Sequence, residues 1–191
     1  MLVTALHVMS EDDALGVYKN PVGDEMMFQG GKDWSCKVGG RIFWEPISFT
    51  KHNVVDIAMC ELDEGVSADF KLYDSRYSNR VVVAGTKGPK RKMRVTMLGA
   101  KYGEVTGTIV AVNRKINVDH VSFKGLMAIQ YDSHVGYGDS GAPVLYEESE
   151  GVYRMVGIQI SVGWHEDTRV GWAFPARTAE KKMGITFGER R

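Results

Sequence analysis

The chain has 191 residues, with 24 Lys and Arg against 24 Asp and Glu and a formal net charge of zero. That length can bury one large core or two small ones, and the charge balance excludes a global electrostatic pull toward nucleic acid or an anionic membrane. No apolar run approaches the ~20 residues that span a bilayer, and the opening MLVTALHVM lacks the basic start and small-residue cleavage site of a signal peptide.

In chain order, short apolar or alternating runs recur between turn residues. They are LVTALHV (2–8), GRIFWEPISF (40–49), VVDIAMCEL (54–62), ADFKLY (68–73), RVVVAG (80–85) and RVTMLGA (94–100). After them come GTIVAVN (107–113), LMAIQYD (126–132), GAPVLYEE (141–148), YRMVGIQISV (153–162) and VGWAFPA (170–176). Each has the length of a strand, and Gly, Asn, Asp or Pro punctuate most of the gaps. The pattern predicts an all-β sandwich or barrel. Only ARTAEKKMG (176–184) predicts a helix, with good helix formers, basic residues in its last turn and a glycine stop. The polar, turn-rich YDSRYSN (73–79) predicts a linker between a first unit, 1–72, and a second, 80–191. Cys36 and Cys60 are the only cysteines; a single bridge between them is open, but so few suit a reducing compartment better than a disulfide framework. One basic run, KGPKRKMR from Lys87 to Arg94, reads as a solvated hairpin loop or as a weak phosphate-binding patch for nucleic acid, with no interleaved aromatics to favour the latter.

The stretch GYGDSGAPV (136–144) carries the chemistry. Ser140 is either a nucleophile or a plain turn residue, since Gly, Asp and Ser all favour turns. A serine hydroxyl attacks only where a base removes its proton, and histidine is the usual base. Of the five histidines, His7, His52, His120, His134 and His165, His7 sits at the end of an apolar strand, where it reads equally well as a core residue. Asp56 lies between Val55 and Ile57, so a buried carboxylate there needs a hydrogen-bonding partner such as an imidazole; a strand-mouth Asp facing solvent is the plainer alternative. Gly138 and Gly141 bracket Asp139–Ser140 and allow backbone that a Cβ forbids, so that the N–H groups of Gly138 and Ser140 can converge on one oxyanion.

The segments VTALHV, DIAMCEL and GYGDSGAPV, in that order, resemble the three signature segments of the chymotrypsin-like serine proteases. LMAIQYDSHVGYGDSGAPVLYEE with MVGIQISVGW and VGWAFP is especially similar to the bacterial glutamyl endopeptidases and to the polyprotein-processing serine proteases of positive-strand RNA viruses such as sobemoviruses. The resemblance runs from residue 3 to about residue 176. It implies two Greek-key β-barrels with a short C-terminal helix, and an endopeptidase working through an acyl-enzyme without metal or cofactor. His7 would be the general base, Asp56 its orienter, Ser140 the nucleophile, and Gly138 and Ser140 the oxyanion-hole donors.

The resemblance also implies that QISVG (159–163) pairs with the substrate backbone, and that His134, Val135, Gln159, Ser161, Gly171 and Ala173 surround the specificity pocket. Val135 and Gln159 stand where glutamyl endopeptidases carry Thr and His, so glutamate specificity is not carried over. Nothing in the sequence shows how Asp139 would receive a freshly cleaved amino terminus, so activation by such a cleavage is not carried over. In the family several strands precede the histidine, so the first barrel is expected to be truncated, with an open front edge. A polypeptide substrate follows, either the chain's own polyprotein in a host cytoplasm or, from a bacterium or phage, another protein. Two rival readings stand: a protease fold used as a non-catalytic module binding protein or RNA, and a β-barrel with coincidental turns.

Overall fold

The computed structural model describes residues 2–5, 25–29, 35–39, 42–44, 47–60, 71–73, 80–118 and 120–188. His7 and the expected linker residues 74–79 lie outside the described residues. The strands are β1 (Leu2–Thr4), β2 (Glu25–Gln29), β3 (Ser35–Gly39), β4 (Ile42–Trp44), β5 (Ala58–Cys60), β6 (Lys71–Tyr73) and β7 (Arg80–Thr86). They continue with β8 (Arg94–Gly99), β9 (Gly103–Val118), β10 (Val121–Tyr131), β11 (Pro143–Ser149), β12 (Val152–His165) and β13 (Thr168–Pro175), followed by the helix α1 (Ala176–Met183). Every apolar run read from the sequence overlaps one of these strands. β2 and β3 fall where no strand is expected: EMMFQ has no β-branched residue and SCKVG has one, so neither shows a strand pattern.

β8, β9, β10, β13 and β12 are successive neighbours in an eight-stranded sheet, and a further antiparallel pairing of β11 with both β8 and β12 closes them into a barrel. β7 adds to β12 in parallel and β6 pairs with β7. In the first half, the described residues form a three-stranded sheet in the order β1–β5–β4 and a separate pair, β2–β3.

Alternation drives the closure. In β8 and β9 the buried positions Val95, Met97, Val105, Ile109 and Ala111 point inward and alternate with more exposed residues, Thr96, Thr106, Thr108 and Val110 among them. One apolar cluster joins the two halves: Ala5, Val55 and Ile57 pack with Val121, Phe123, Leu126, Trp172 and Phe174. Asn53 fixes this junction. Its backbone bridges Phe123, and its amide bonds Ser48 N–H at 2.8 Å, the Ser48 carbonyl at 2.8 Å and the Ser122 carbonyl at 3.1 Å.

α1 starts after Pro175 and stops at Gly184, whose φ of 66° is the left-handed cap expected of a glycine stop. The Glu180 carboxylate secures the helix by accepting the Thr86 hydroxyl at 2.9 Å and the Phe187 N–H at 3.0 Å. Among the described residues no helix is long and apolar enough to cross a membrane.

Candidate active site

Ser140 lies in the turn between β10 and β11, where Gly138 has φ 98° and Gly141 φ 86°. Both angles are in the region that side chains avoid, so the glycines are required by the turn rather than merely tolerated in it. The loop's N–H groups divide into two sets. Those of Asp139, Gly141 and Ala142 are taken by the carbonyls of Gly136 (3.3 Å), Gln159 (2.8 Å) and Asp139 (3.1 Å). Among the described residues, the N–H groups of Gly138 and Ser140 have no such acceptor. Two unclaimed donors on either side of a buried Asp139 are what an oxyanion site needs.

The Ser140 hydroxyl donates to the Ile160 carbonyl at 3.1 Å. Ile160 is itself the extra residue of a β-bulge: the β12–β13 register jumps between Gln159 and Ser161. Bulges re-aim backbone groups, and this one turns a carbonyl toward the serine. Gln159 anchors the loop on the same strand, donating to the Ala142 carbonyl at 2.9 Å and accepting from Gly141 at 2.8 Å.

Asp56 is fully buried between Val55 and Ile57 and is not without a partner. The solvent-facing alternative for this residue does not hold. The junction set by Asn53 positions it three residues on. Another histidine, His52, is exposed and its Nδ1 is 2.8 Å from the Ser122 hydroxyl.

The residues expected around the pocket fall into three environments. His134 is exposed, edge-on to Tyr102 with ring centroids 4.9 Å apart. Val135 is buried in a small cluster with Met97, Val105 and Ala142. Gln159 is 2% exposed; its Oε1 accepts the Tyr131 hydroxyl at 3.0 Å and its Nε2 donates to the Ser161 carbonyl at 2.6 Å. Gly171 faces this pair, since a Cβ there would lie 2.4 Å from Tyr131 Cε2 and 2.7 Å from Gln159 Nε2. Ala173 is wholly buried in the barrel core beside Met127 and Val144. Tyr131 as a whole is half-buried, but its hydroxyl end is deeply set; burial first, and then the Asp139 carboxylate, push that hydroxyl far above the usual tyrosine range.

Two residues that the sequence reading does not include complete the region. Tyr131 is hidden at the end of an apolar strand. Arg169 donates to the Val135 carbonyl at 3.2 Å and lies 3.4 Å from His134 Nδ1. The only sequence signal for either is a polar group next to a buried strand, which is common.

Two of the five cations of the basic run are ion-paired, and a third is hydrogen-bonded to a neutral carbonyl. Lys87 pairs with Glu148 at 3.4 Å, Arg94 with Asp132 at 2.5 Å, and Arg91 donates to the Val110 carbonyl at 3.0 Å. Lys90, Arg91 and Lys92 remain exposed cations without an acidic partner among the described residues, a thin basis for phosphate binding. Among the described residues no group of three or more His, Cys, Asp or Glu side chains is placed to hold a metal ion.

The fold matches solved structures over nearly the whole chain. A chymotrypsin of Cellulomonas bogoriensis superposes with a TM-score of 0.66 at 17% identity, covering 99% of this chain and 85% of that one. A glutamic-acid-specific serine protease, described as using a histidine triad in substrate binding, gives a TM-score of 0.70 at 18% identity, with coverage of 97% and 84%. This chain has the chymotrypsin-like fold. The Rv3671c protease of M. tuberculosis shares it too, with a TM-score of 0.59 at 14% identity for its active form, covering 98% of this chain and 70% of that one. No protein-family profile and no curated protein sequence matches the chain. The chymotrypsin-like fold thus rests on shape and topology at low identity.

Proposed function

We propose that the chain is a serine endopeptidase that hydrolyses peptide bonds through an acyl-enzyme on Ser140. The observation that carries this reading is the division of N–H groups in the 136–142 turn. The backbone there is tied down at Asp139, Gly141 and Ala142 and left open at Gly138 and Ser140.

His7 takes the Ser140 proton as the hydroxyl oxygen attacks the substrate carbonyl carbon, and Asp56 stabilises the imidazolium. The Ser140 hydroxyl gives up its bond to the Ile160 carbonyl as it turns to the base. The carbonyl oxygen, now negative, accepts the N–H groups of Gly138 and Ser140. Collapse expels the amine, which leaves with the proton from His7. Water then attacks the ester by the same route in reverse and frees Ser140.

His134, Val135, Gln159, Ser161 and Gly171 define the specificity region in this reading; Ala173, expected beside them, is buried in the barrel core instead. None is a carboxylate, and Arg169 adds positive charge beside His134. A cationic side chain before the scissile bond is therefore disfavoured, and a polar, amide-bearing or modest apolar one is accepted. The structural neighbours named above are bacterial enzymes. They give no support to polyprotein processing, which rests on the resemblance of sequence segments alone. The deciding experiment is labelling of the purified chain by a fluorophosphonate, with Ser140→Ala as control. Labelling of the wild type and not of the variant supports the reading, and equal labelling of both overturns it.

A further inference from the structure

The turn at 48–53 is tied across its base. The Asn53 amide accepts the Ser48 N–H and donates to the Ser48 carbonyl, each at 2.8 Å, and the Lys51 N–H donates to the Ser48 hydroxyl at 3.1 Å. The tip, Phe49 to His52, is exposed, with Phe49 at 54%. A lone exposed phenylalanine needs no explanation. Its neighbours give this one a meaning.

The end of this turn lies along β10. Asn53 N–H donates to the Ser122 carbonyl and Lys124 N–H to the Asn53 carbonyl, both at 2.8 Å. β9 pairs with β10, setting Asn117 opposite Ser122 and Lys115 opposite Lys124. Side chains alternate along a strand. Phe123 is turned into the core with Ile116 against it, so Ser122 and Lys124 share the outer face with Asn117 and Lys115. The His52 ring joins that face through its 2.8 Å contact with the Ser122 hydroxyl.

Lys115 and Lys124 are both exposed, and residues opposed on neighbouring strands have Cα atoms about 5 Å apart. Like charges so placed repel. Among the described residues no acidic side chain pairs with Lys51, Lys115 or Lys124. Beside Lys124, a Cβ on Gly125 would meet nothing within 4 Å, so the face is open there.

We propose that this outer face binds single-stranded nucleic acid, with Lys51, Lys115 and Lys124 taking phosphates and Phe49 stacking on a base. Sequence-tolerant single-strand sites combine these parts: cations that follow the backbone and an aromatic face beside them. An acidic peptide would answer the lysines and leave Phe49 unused, and a duplex hides the base faces that the ring needs. The chain's zero net charge confines the attraction to this patch, which makes it short-ranged and sensitive to salt. None of these residues belongs to the proposed catalytic set, and the inference does not rest on the peptidase reading.

The test is fluorescence anisotropy of a labelled oligothymidylate of about twenty nucleotides, longer than one single-strand site, over a salt series. Lys115→Gln with Lys124→Gln should weaken binding and flatten the slope of log K against log salt by about 1.4, at about 0.7 per phosphate contact. Phe49→Ala should weaken binding about fivefold or more and leave the slope unchanged. Lys90→Gln with Lys92→Gln removes as many exposed cations from the β7–β8 turn and should leave affinity and slope near wild type. Lys115→Glu turns a repelling pair into an attracting one, so it should raise the melting temperature while weakening binding.

An equal loss in the Lys90 and Lys92 control, unchanged binding in Phe49→Ala, or a wild type that does not bind at low salt would each overturn the proposal. Tighter binding of polyglutamate, or of a duplex of the same length, would overturn it in favour of an acidic protein or of duplex. Ser140→Ala should bind as the wild type does, so a failure to bind is read separately from a failure to cleave.

Discussion

The Tyr131 hydroxyl donates to Gln159 Oε1 across 3.0 Å, and the pair fills the space in front of Gly171. A buried amide is thereby satisfied from β10 while its Nε2 is satisfied by the Ser161 carbonyl of its own strand. Leaving an acceptor unpaired in such a place costs about 1–3 kcal/mol. Tyr131→Phe is expected to lose stability in that range in urea unfolding, and Gly171→Ala to lose a similar amount by overpacking, about 1–3 kcal/mol. Wild-type stability in both would show that the pair is not a buried constraint.

The triad variants form a second prediction. Ser140→Ala should abolish peptidase activity with the fold intact, because its hydroxyl makes one exchangeable bond to a carbonyl. His7→Ala should be comparably damaging and Asp56→Asn somewhat less, and combining them should not multiply the losses, since such residues act as a unit. Cleavage of casein by purified Ser140→Ala would refute the assignment.

Specificity is testable with a peptide library. Cleavage after Gln, Asn, Thr or small apolar residues is expected, with Arg and Lys disfavoured by the absence of a pocket carboxylate and by Arg169 beside His134. Efficient cleavage after Arg would show that the pocket lies elsewhere. Arg169→Ala should relax the exclusion of cations without lowering kcat on the preferred peptides.

Acid should reveal the Arg94–Asp132 pair. Hydrogen bonds from Arg94 and then from Thr106 hold the Asp132 carboxyl at about 2, below the 3.8 of a free aspartate. A depressed acid stabilises the folded chain above its unfolded value and loses that contribution as pH falls through the folded one. Asp132→Asn should therefore be slightly less stable than wild type at neutral pH, and the gap should close between about pH 4 and pH 2. The effect is small because the pair is exposed. A gap that persists unchanged at pH 2 would mean that the carboxylate's charge is not its source.

Much of the architecture was legible in the chain because its information is local. Alternation in β8 and β9 and the Gly184 stop of α1 are properties of neighbouring residues. Gly138 and Gly141 announced a turn with positive φ, which made Ser140 conspicuous. What the sequence could not give is long-range pairing. Nothing near Asp139 says that its acceptors will be filled from residues 101 and 102, and nothing near Gln159 says that Tyr131 will reach it. The bulge at Ile160 is equally silent, since QIS reads as an ordinary strand. β2 and β3 lack the β-branched residues that would have declared them.

β12 has a consequence for how such an enzyme can diversify. The serine turn is registered to this strand through Gln159 and Ile160, and Gly171 is registered to it through Val162. On the proposed reading, nucleophile and pocket wall are thus ruled off one common edge, like marks on a single scale. The β12–β13 tip at 166–167 hangs outside that scale. It can lengthen, shorten or change composition without shifting one mark against the other, so on the proposed reading substrate preference is free to drift there while the reacting geometry is inherited intact.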